Sequence, residues 1–329
     1  MAFRPRIGLI ARLGLTLICL FAFSELRGGG TVASPPDRSS VRFGMSTRLF
    51  REVNENDALA SVQVYAKALV ESHGLVADPN PVIFTGGSEL SELLTTGAVD
   101  LASMPTQEFL ALGETLVTGP ILISLINGSE YEEYVLVVRK DSGINVLSDL
   151  KGRRVLVLDN LQGSLAGPWL EVLLGKEAMG PPEKFFSRIT RPVKVSEAAL
   201  PVFFHQGDAC VITRQGFELM GELNPQVTNQ IRVVATSPRL VPHLTCFRAS
   251  FDAVLKEKVA AAVTEANTTA AGKQLLMIFQ CDRIEERPIS ILRSTRELLT
   301  EQARLHSKAV GSETAPETPW SSGRGGADQ

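Results

Sequence analysis

A chain of 329 residues, 44 % hydrophobic and 21 % charged, is long enough to bury one large core or two of ordinary size. Its 33 basic and 36 acidic residues leave a formal charge of −3, with no basic stripe and no aromatic–basic interleaving, which argues against nucleic acid as a partner. Four Cys and four scattered His form no Cys-x-x-Cys and no His-x-x-x-His pair, so no metal site is expected.

The chain begins with Arg4, Arg6 and Arg12 ahead of an uncharged apolar run, Leu13 to Phe23 ("LGLTLICLFAF"). That length suits the hydrophobic region of an export signal and is too short to span a bilayer. Residues 1–33 are therefore expected to be a signal peptide cut after Ala33, with Thr31 at the −3 position; an uncleaved N-terminal anchor is the alternative. Ile18 is too large to precede a lipidated Cys19. Losing 1–33 removes four Arg and one Glu, leaving 29 bases and 35 acids, formally −6. Cys210, Cys246 and Cys281 remain, enough for one bridge and one free thiol in an exported chain.

After a polar leader, 34–40, "VRFGMST" (41–47) reads as the first strand. Asp57 to His73 follows as an amphipathic helix stopped by Gly74. "PVIFT" (81–85) is the next strand, and Gly86-Gly87-Ser88 turns it into a helix with Ser88 as its cap. Gly97 ends that helix, and an Asp leads into a strand ending at Met104-Pro105-Thr106. Further on come a buried strand "YVLVV", a short turn "SDLKG", a strand "RRVLVLD" and a helix from about Ser164 through Leu174. Next are a Gly/Pro-rich loop (175–182), a strand "RPVKV" (191–195), and a helix containing Pro201. Gly207-Asp208 then repeats the earlier turn and leads to a strand ending at Thr213-Arg214. Strands "IRVVATS" (231–237) and "HLTCFR" (243–248) and helical stretches over 251–280 and 292–306 complete the pattern. The tail, 309–329, is Gly/Ser/Pro-rich and aperiodic, and is expected to be disordered.

Strand–helix alternation of this kind predicts parallel α/β units, here two similar lobes that can face one another across a cleft. Open parallel sheets bind ligands at the carboxyl ends of their strands, where helix N-termini present free N–H groups. The repeated Gly–Asp turn would then mark the far end of each lobe. Hydroxyls expected at strand ends or helix starts are Thr47, Thr85, Ser88, Thr106, Ser164 and Ser196. With Gly163 they could hold a small oxyanion, and Arg214 could add a bidentate contact. The plain alternatives are ordinary helix caps for the hydroxyls and a solvated surface charge for Arg214.

Catalysis finds no support. "GSLAG" (163–167) lacks the Gly-x-Ser-x-Gly spacing of a nucleophile elbow. His243 is expected at a lobe crossing as a structural residue, and no nucleotide phosphate loop occurs. Neither an enzyme nor a cofactor is expected.

The segment "YEEYVLVVRKDSGINVLSDLKGRRVLVLDNLQGSLAG" (131–167) resembles the periplasmic substrate-binding proteins of the phosphate, phosphite and phosphonate uptake family. The matching elements are the turn Arg139 to Ile144, the block Ser148 to Gly152, the strand Val155 to Leu158 and the small-residue helix start Gly163-Ser164. "VRFGMST" and "SELLTTGAVDLAS" also fit, and the likeness extends over roughly 41–305. It departs at the ligand positions: Gln162-Gly163-Ser164-Leu165 replaces a run rich in Ser and Thr, and Val195-Ser196-Glu197 replaces Ser-His-Asp. The resemblance implies a type-2 periplasmic binding fold, in which each lobe is a mainly parallel sheet flanked by helices and the cleft lies between them. Lobe 1 would comprise 41–135 and 246–308, lobe 2 136–245, with crossings near 133–139 and 240–248. It further implies a periplasmic monomer that captures a small oxyanion and passes it to an ABC permease at the inner membrane. The alternative is a sensory or docking module on the same fold that signals to a membrane partner such as a sensor kinase. Cys246 and Cys281 both fall where the chain returns to the first lobe, so a bridge between them is expected.

Overall fold

Two mixed sheets organise the chain in a computed structural model that describes residues 40–113 and 115–313. The expected signal peptide and the tail beyond Glu313 lie outside the described residues.

The first sheet has, in spatial order, strands Arg283–Arg287, Val117–Leu125, His243–Arg248, Leu101–Pro105, Phe43–Ser46 and Val82–Phe84. The last three are parallel and are linked through helices Glu55–His73 and Gly87–Thr96; the first three add antiparallel. The second sheet runs Ile231–Thr236, Tyr134–Arg139, Ala209–Thr213, Arg154–Val157, Arg188–Thr190, again parallel over its last three strands.

Local chemistry explains most of these elements. Asn54 accepts the Asp57 N–H at 3.2 Å to open the first helix, and Gly74, at φ 61°, closes it. Tyr134–Val138 is fully buried and, save for the Tyr134 hydroxyl, apolar, because both faces of the strand are covered. Tyr134, Leu136 and Val138 enter one core while Val135 and Val137 enter the other.

The repeated turn ties down the far end of each lobe. The Asp100 carboxylate accepts the Arg42 backbone N–H (3.0 Å) and its guanidinium (3.1 and 3.2 Å). Asp208 does the same to Arg154, at 2.8, 3.0 and 3.2 Å. Both arginines lie at or just before the amino end of a parallel strand, so the staples sit opposite the carboxyl edges.

Several expectations change. "RPVKV" is not a strand: the strand is Arg188–Thr190, and Pro192, which lacks an N–H, instead accepts Asp159 N through its carbonyl at 2.9 Å. Helix Val195–Phe203 starts directly afterwards. The stretch 251–280 divides into Ala253–Thr264 and Ala270–Ile278 around one tight turn, each part capped by its own side chain, Asp252 and Thr269. Strands Val117–Leu125 and Arg283–Arg287 were not legible, the first being interrupted by Gly119-Pro120 and the second an edge strand reading "RIEER".

Helix Arg293–Glu313 includes the first five residues of the expected tail. Although its sequence was placed with lobe 1 through 308, Leu298 enters the second lobe's core, and Gln302 and His306 reach Glu171 at 2.6 and 3.0 Å. The expected disulfide is also absent: Cys210, Cys246 and Cys281, the cysteines among the described residues, are free and buried. Cys246 packs on one face of the first sheet with Ala102 and Met104, and Cys281 packs on the other with Leu122 and Phe247. Alternation along strand His243–Arg248 points Cys246 to one face, while Cys281, in the turn before strand Arg283–Arg287, packs in the cluster on the other.

Candidate functional site

Because strands Phe43–Ser46, Val82–Phe84 and Leu101–Pro105 are parallel, their carboxyl ends share one edge. That edge carries Thr47, Thr85 and Thr106. In the second sheet the corresponding edge carries the loop 158–165, the segment 191–195 and Thr213-Arg214.

The loop 158–165 is fixed from several sides. Leu158 N donates to Val211 O (2.9 Å), Gly163 N to Asn160 Oδ1 (2.7 Å) and the Tyr134 hydroxyl to Gln162 O (2.5 Å). Tyr134 is itself stacked on Trp169, with ring centroids 6.5 Å apart. Gly163 is required by space: a Cβ there would lie 2.7 Å from the Leu158 carbonyl oxygen and 3.0 Å from Asn160 Oδ1.

This loop meets the first lobe's edge. Arg51 pairs with Asp159, Asn160 Nδ2 donates to Glu52 at 2.8 Å, and Gln107 Nε2 donates to Ser164 O at 3.1 Å. Leu161 inserts among Met45, Leu49 and Val62. Thr106 N and Ser164 Oγ, from opposite edges, donate to the same Pro242 carbonyl, at 2.9 and 3.2 Å. Thr106 is fully buried, and its hydroxyl has no hydrogen-bond partner. An unpaired buried hydroxyl forfeits solvation without compensation, which makes it a position open to a ligand.

The other expected residues are dispersed. Thr47 is exposed on the turn Thr47–Phe50; its neighbour Ser46 accepts Arg48 N–H and donates to Glu108 Oε1 at 3.1 Å. Thr85 is exposed, and its N–H is taken by Glu89 at 2.7 Å. Ser88 is not a cap: the helix starts at Gly87 after Gly86, whose φ of 86° suits glycine, and Ser88 is exposed in its first turn. Ser196 is likewise exposed, one residue inside a helix flanked by Lys194. Arg214 is not a free cation, being held by Glu133 (2.7 Å) and Thr236 Oγ1 (3.1 Å) within the second lobe.

The charged groups at the mouth, Arg48, Arg51, Glu52, Glu108 and Asp159, and the Asn160 amide are not among the expected residues, which are hydroxyls, Gly163 and Arg214. Their signal was position alone: each lies within a few residues of a parallel strand's carboxyl end. Burial raises the Glu52 carboxyl above its ordinary range, against the opposing hydrogen bond from Asn160 and the charge of Lys194. Burial also raises Glu108, against Ser46 and Arg48. Each cation here holds an acid, so an entering anion would compete with protein carboxylates for the same donors.

The chain matches the family model described as ABC transporter, phosphonate, periplasmic substrate-binding protein over residues 72–287. No curated protein matches it. Among solved structures, XAC2383 from Xanthomonas citri bound to chloride ion is 16 % identical, with a TM-score of 0.59 over 82 % of this chain and 99 % of that one. PhnD1 from Prochlorococcus marinus in complex with methylphosphonate is 14 % identical, with a TM-score of 0.54 over 82 % of this chain and 100 % of that one. A binding protein component of an ABC phosphonate transporter from Pseudomonas aeruginosa is 17 % identical, at 0.54 over 83 % and 89 %. At such identities the likeness establishes the fold, a two-lobed α/β binding fold of the type-2 periplasmic class.

Proposed function

Since the chain belongs to the family of periplasmic substrate-binding proteins of phosphonate ABC transporters, we propose that it captures a small oxyanion of the phosphonate, phosphite or phosphate kind between its lobes. It then delivers the anion to an ABC permease at the inner membrane. Export by residues 1–33 would place it in the periplasm, and the lobes built on the first and second sheets would form the clamp.

The observation that carries this reading is the meeting of Thr106 and Ser164, from opposite lobes, at the Pro242 carbonyl, with the Thr106 hydroxyl buried and unpaired. Gln107 stands beside them, and Arg48 and Arg51, each paired with an acid, Glu108 and Asp159, are donors at the mouth for which an entering anion would compete. Hydroxyl and amide donors suit an oxyanion because hydrogen bonds to a charged acceptor are the strong ones. A ligand contacting both lobes shifts the open–closed equilibrium by the contacts it makes only when closed. Gly163 serves the site by letting the loop turn tightly, so Gly163→Asp would disrupt the loop before it could test a charge.

A thermal-shift screen against phosphate, phosphite, alkylphosphonates, sulfonates and small carboxylates tests the assignment. A ligand at ~100 times its Kd should add about 2.7 kcal/mol of stability. Stabilisation by carboxylates alone, or by none of these anions, would reject it.

A further inference from the structure

The first lobe is hollow beside the candidate site. A cavity of about 80 Å³ lies between one face of its sheet and its helices, walled by Phe43, Met45, Thr245, Tyr65 and Phe279 and roofed by Leu161. A smaller one, about 30 Å³, adjoins it and shares Phe43 and Tyr65. Leu161 is the one second-lobe residue in the wall, and it belongs to the loop that carries Gly163 and Ser164.

The wall carries no charged group. Its Ser103 and Thr245 hydroxyls are paired with each other at 2.6 Å. Burial holds His243 neutral at ordinary pH by pushing its pKa down to about 4, and its Nδ1 has no partner. Cores are normally packed without voids, and an empty one costs stability. A cavity of ~150 Å³ lined by apolar side chains takes a benzene ring, so about half that volume suits a short alkyl group.

We propose that this hollow receives the short apolar substituent, two to four carbons long, of the same ligand whose oxyanion lies between the lobes, with Leu161 as its gate. The inference rests on the functional reading above and narrows it to short-chain alkyl oxyanions. When the lobes part, Leu161 withdraws with its loop and the hollow opens toward Met45 and Leu49, next to Ser46 and Thr47. On closure Leu161 covers the bound chain. Burying each added methylene is worth roughly a fourfold gain in affinity.

The test is calorimetric titration of the protein with inorganic phosphate, phosphite and methyl-, ethyl-, propyl-, butyl- and hexylphosphonate. Affinity should rise about fourfold per carbon up to propyl or butyl and then fall. Ser103→Leu, which fills the hollow, should flatten the series, and Leu161→Ala should extend it to hexyl. Xenon NMR, independent of any anion, should show a bound xenon in the wild type that Ser103→Leu abolishes. Methylphosphonate binding with no gain from longer chains would overturn this inference and leave the functional reading standing. Absence of binding by every member of the series, with xenon still bound, would overturn the functional reading and this extension with it. Absence of bound xenon in the wild type would show that no such compartment exists.

Discussion

The two Gly–Asp turns do one job in two ways. In the first lobe Asp100 holds Arg42 and also accepts Arg248 from the crossing strand at 2.8 Å, with only 2 % of its side chain exposed. In the second, Asp208 holds Arg154 alone among the arginines and is 22 % exposed. The glycines differ too. Gly97 is there for its backbone, at φ 71°, closing a helix. Gly207 is there for space, since a Cβ would lie 2.5 Å from Leu156 Cδ1, and the left-handed residue of that turn is His205 at φ 60°. A similar stretch of sequence therefore encodes the same staple while each residue answers to its own surroundings.

The largest effect should separate the two staples. Asp100→Ala leaves two arginines without their carboxylate around a buried site and should cost about 3–5 kcal/mol. Asp208→Ala should cost clearly less, since solvent reaches its pair. Urea denaturation of both variants measures the gap; equal losses would erase the distinction.

Glu132 extends the comparison to an acid that no Arg neutralises. It bridges to Leu240 through its backbone at the lobe crossing, and burial pushes its carboxyl up to about 7. Asp208 is displaced the other way, lowered first by its hydrogen bond from Arg154. The two have opposite signs. Glu132 contributes stability that is present below its unfolded pKa and is lost as pH rises through about 7. Asp208 contributes stability present above its unfolded pKa and lost as pH falls through its folded one. Glu132→Gln should therefore raise Tm relative to wild type at pH 8, by on the order of 3 kcal/mol of stability, and change it little at pH 4. A Tm difference independent of pH would contradict the assignment.

Gly207→Ala should cost about 1–3 kcal/mol through crowding, and Leu156→Val should recover part of that. No second-site change of that kind should help Gly97→Ala, whose cost is backbone strain. A double-mutant cycle showing no coupling between 207 and 156 would remove the packing explanation. Smallest of all, His205→Gly should gain about 1 kcal/mol by relieving the left-handed conformation. A loss on thermal unfolding would mean that the His205 side chain holds something.

Helices were legible wherever periodicity met a closing glycine, as at Asp57 to Gly74 and Ser88 to Gly97, while their openings lay earlier, at Glu55 after the Asn54 cap and at Gly87. The antiparallel strand Val117–Leu125 was hidden because Gly119-Pro120 reads as a turn, and the edge strand "RIEER" because its charges face solvent at the sheet's rim. At the candidate site, Thr106, Gly163 and Ser164 could be found from strand ends and helix starts. Arg51, Glu52 and Gln107 could not, because their meaning depends on which loop of the other lobe they face. The misplaced disulfide had the same origin: nearness along a lobe's chain does not reveal which face of a sheet each thiol occupies.

The central claim is that one anion touches both lobes at once. It is tested most directly by calorimetric titration of methylphosphonate into wild type, Thr106→Val and Ser164→Ala. Each substitution removes a donor to a charged ligand from a different lobe, so each should weaken binding about 10- to 150-fold. Wild-type affinity in either variant would mean that the anion is not held between Thr106 and Ser164.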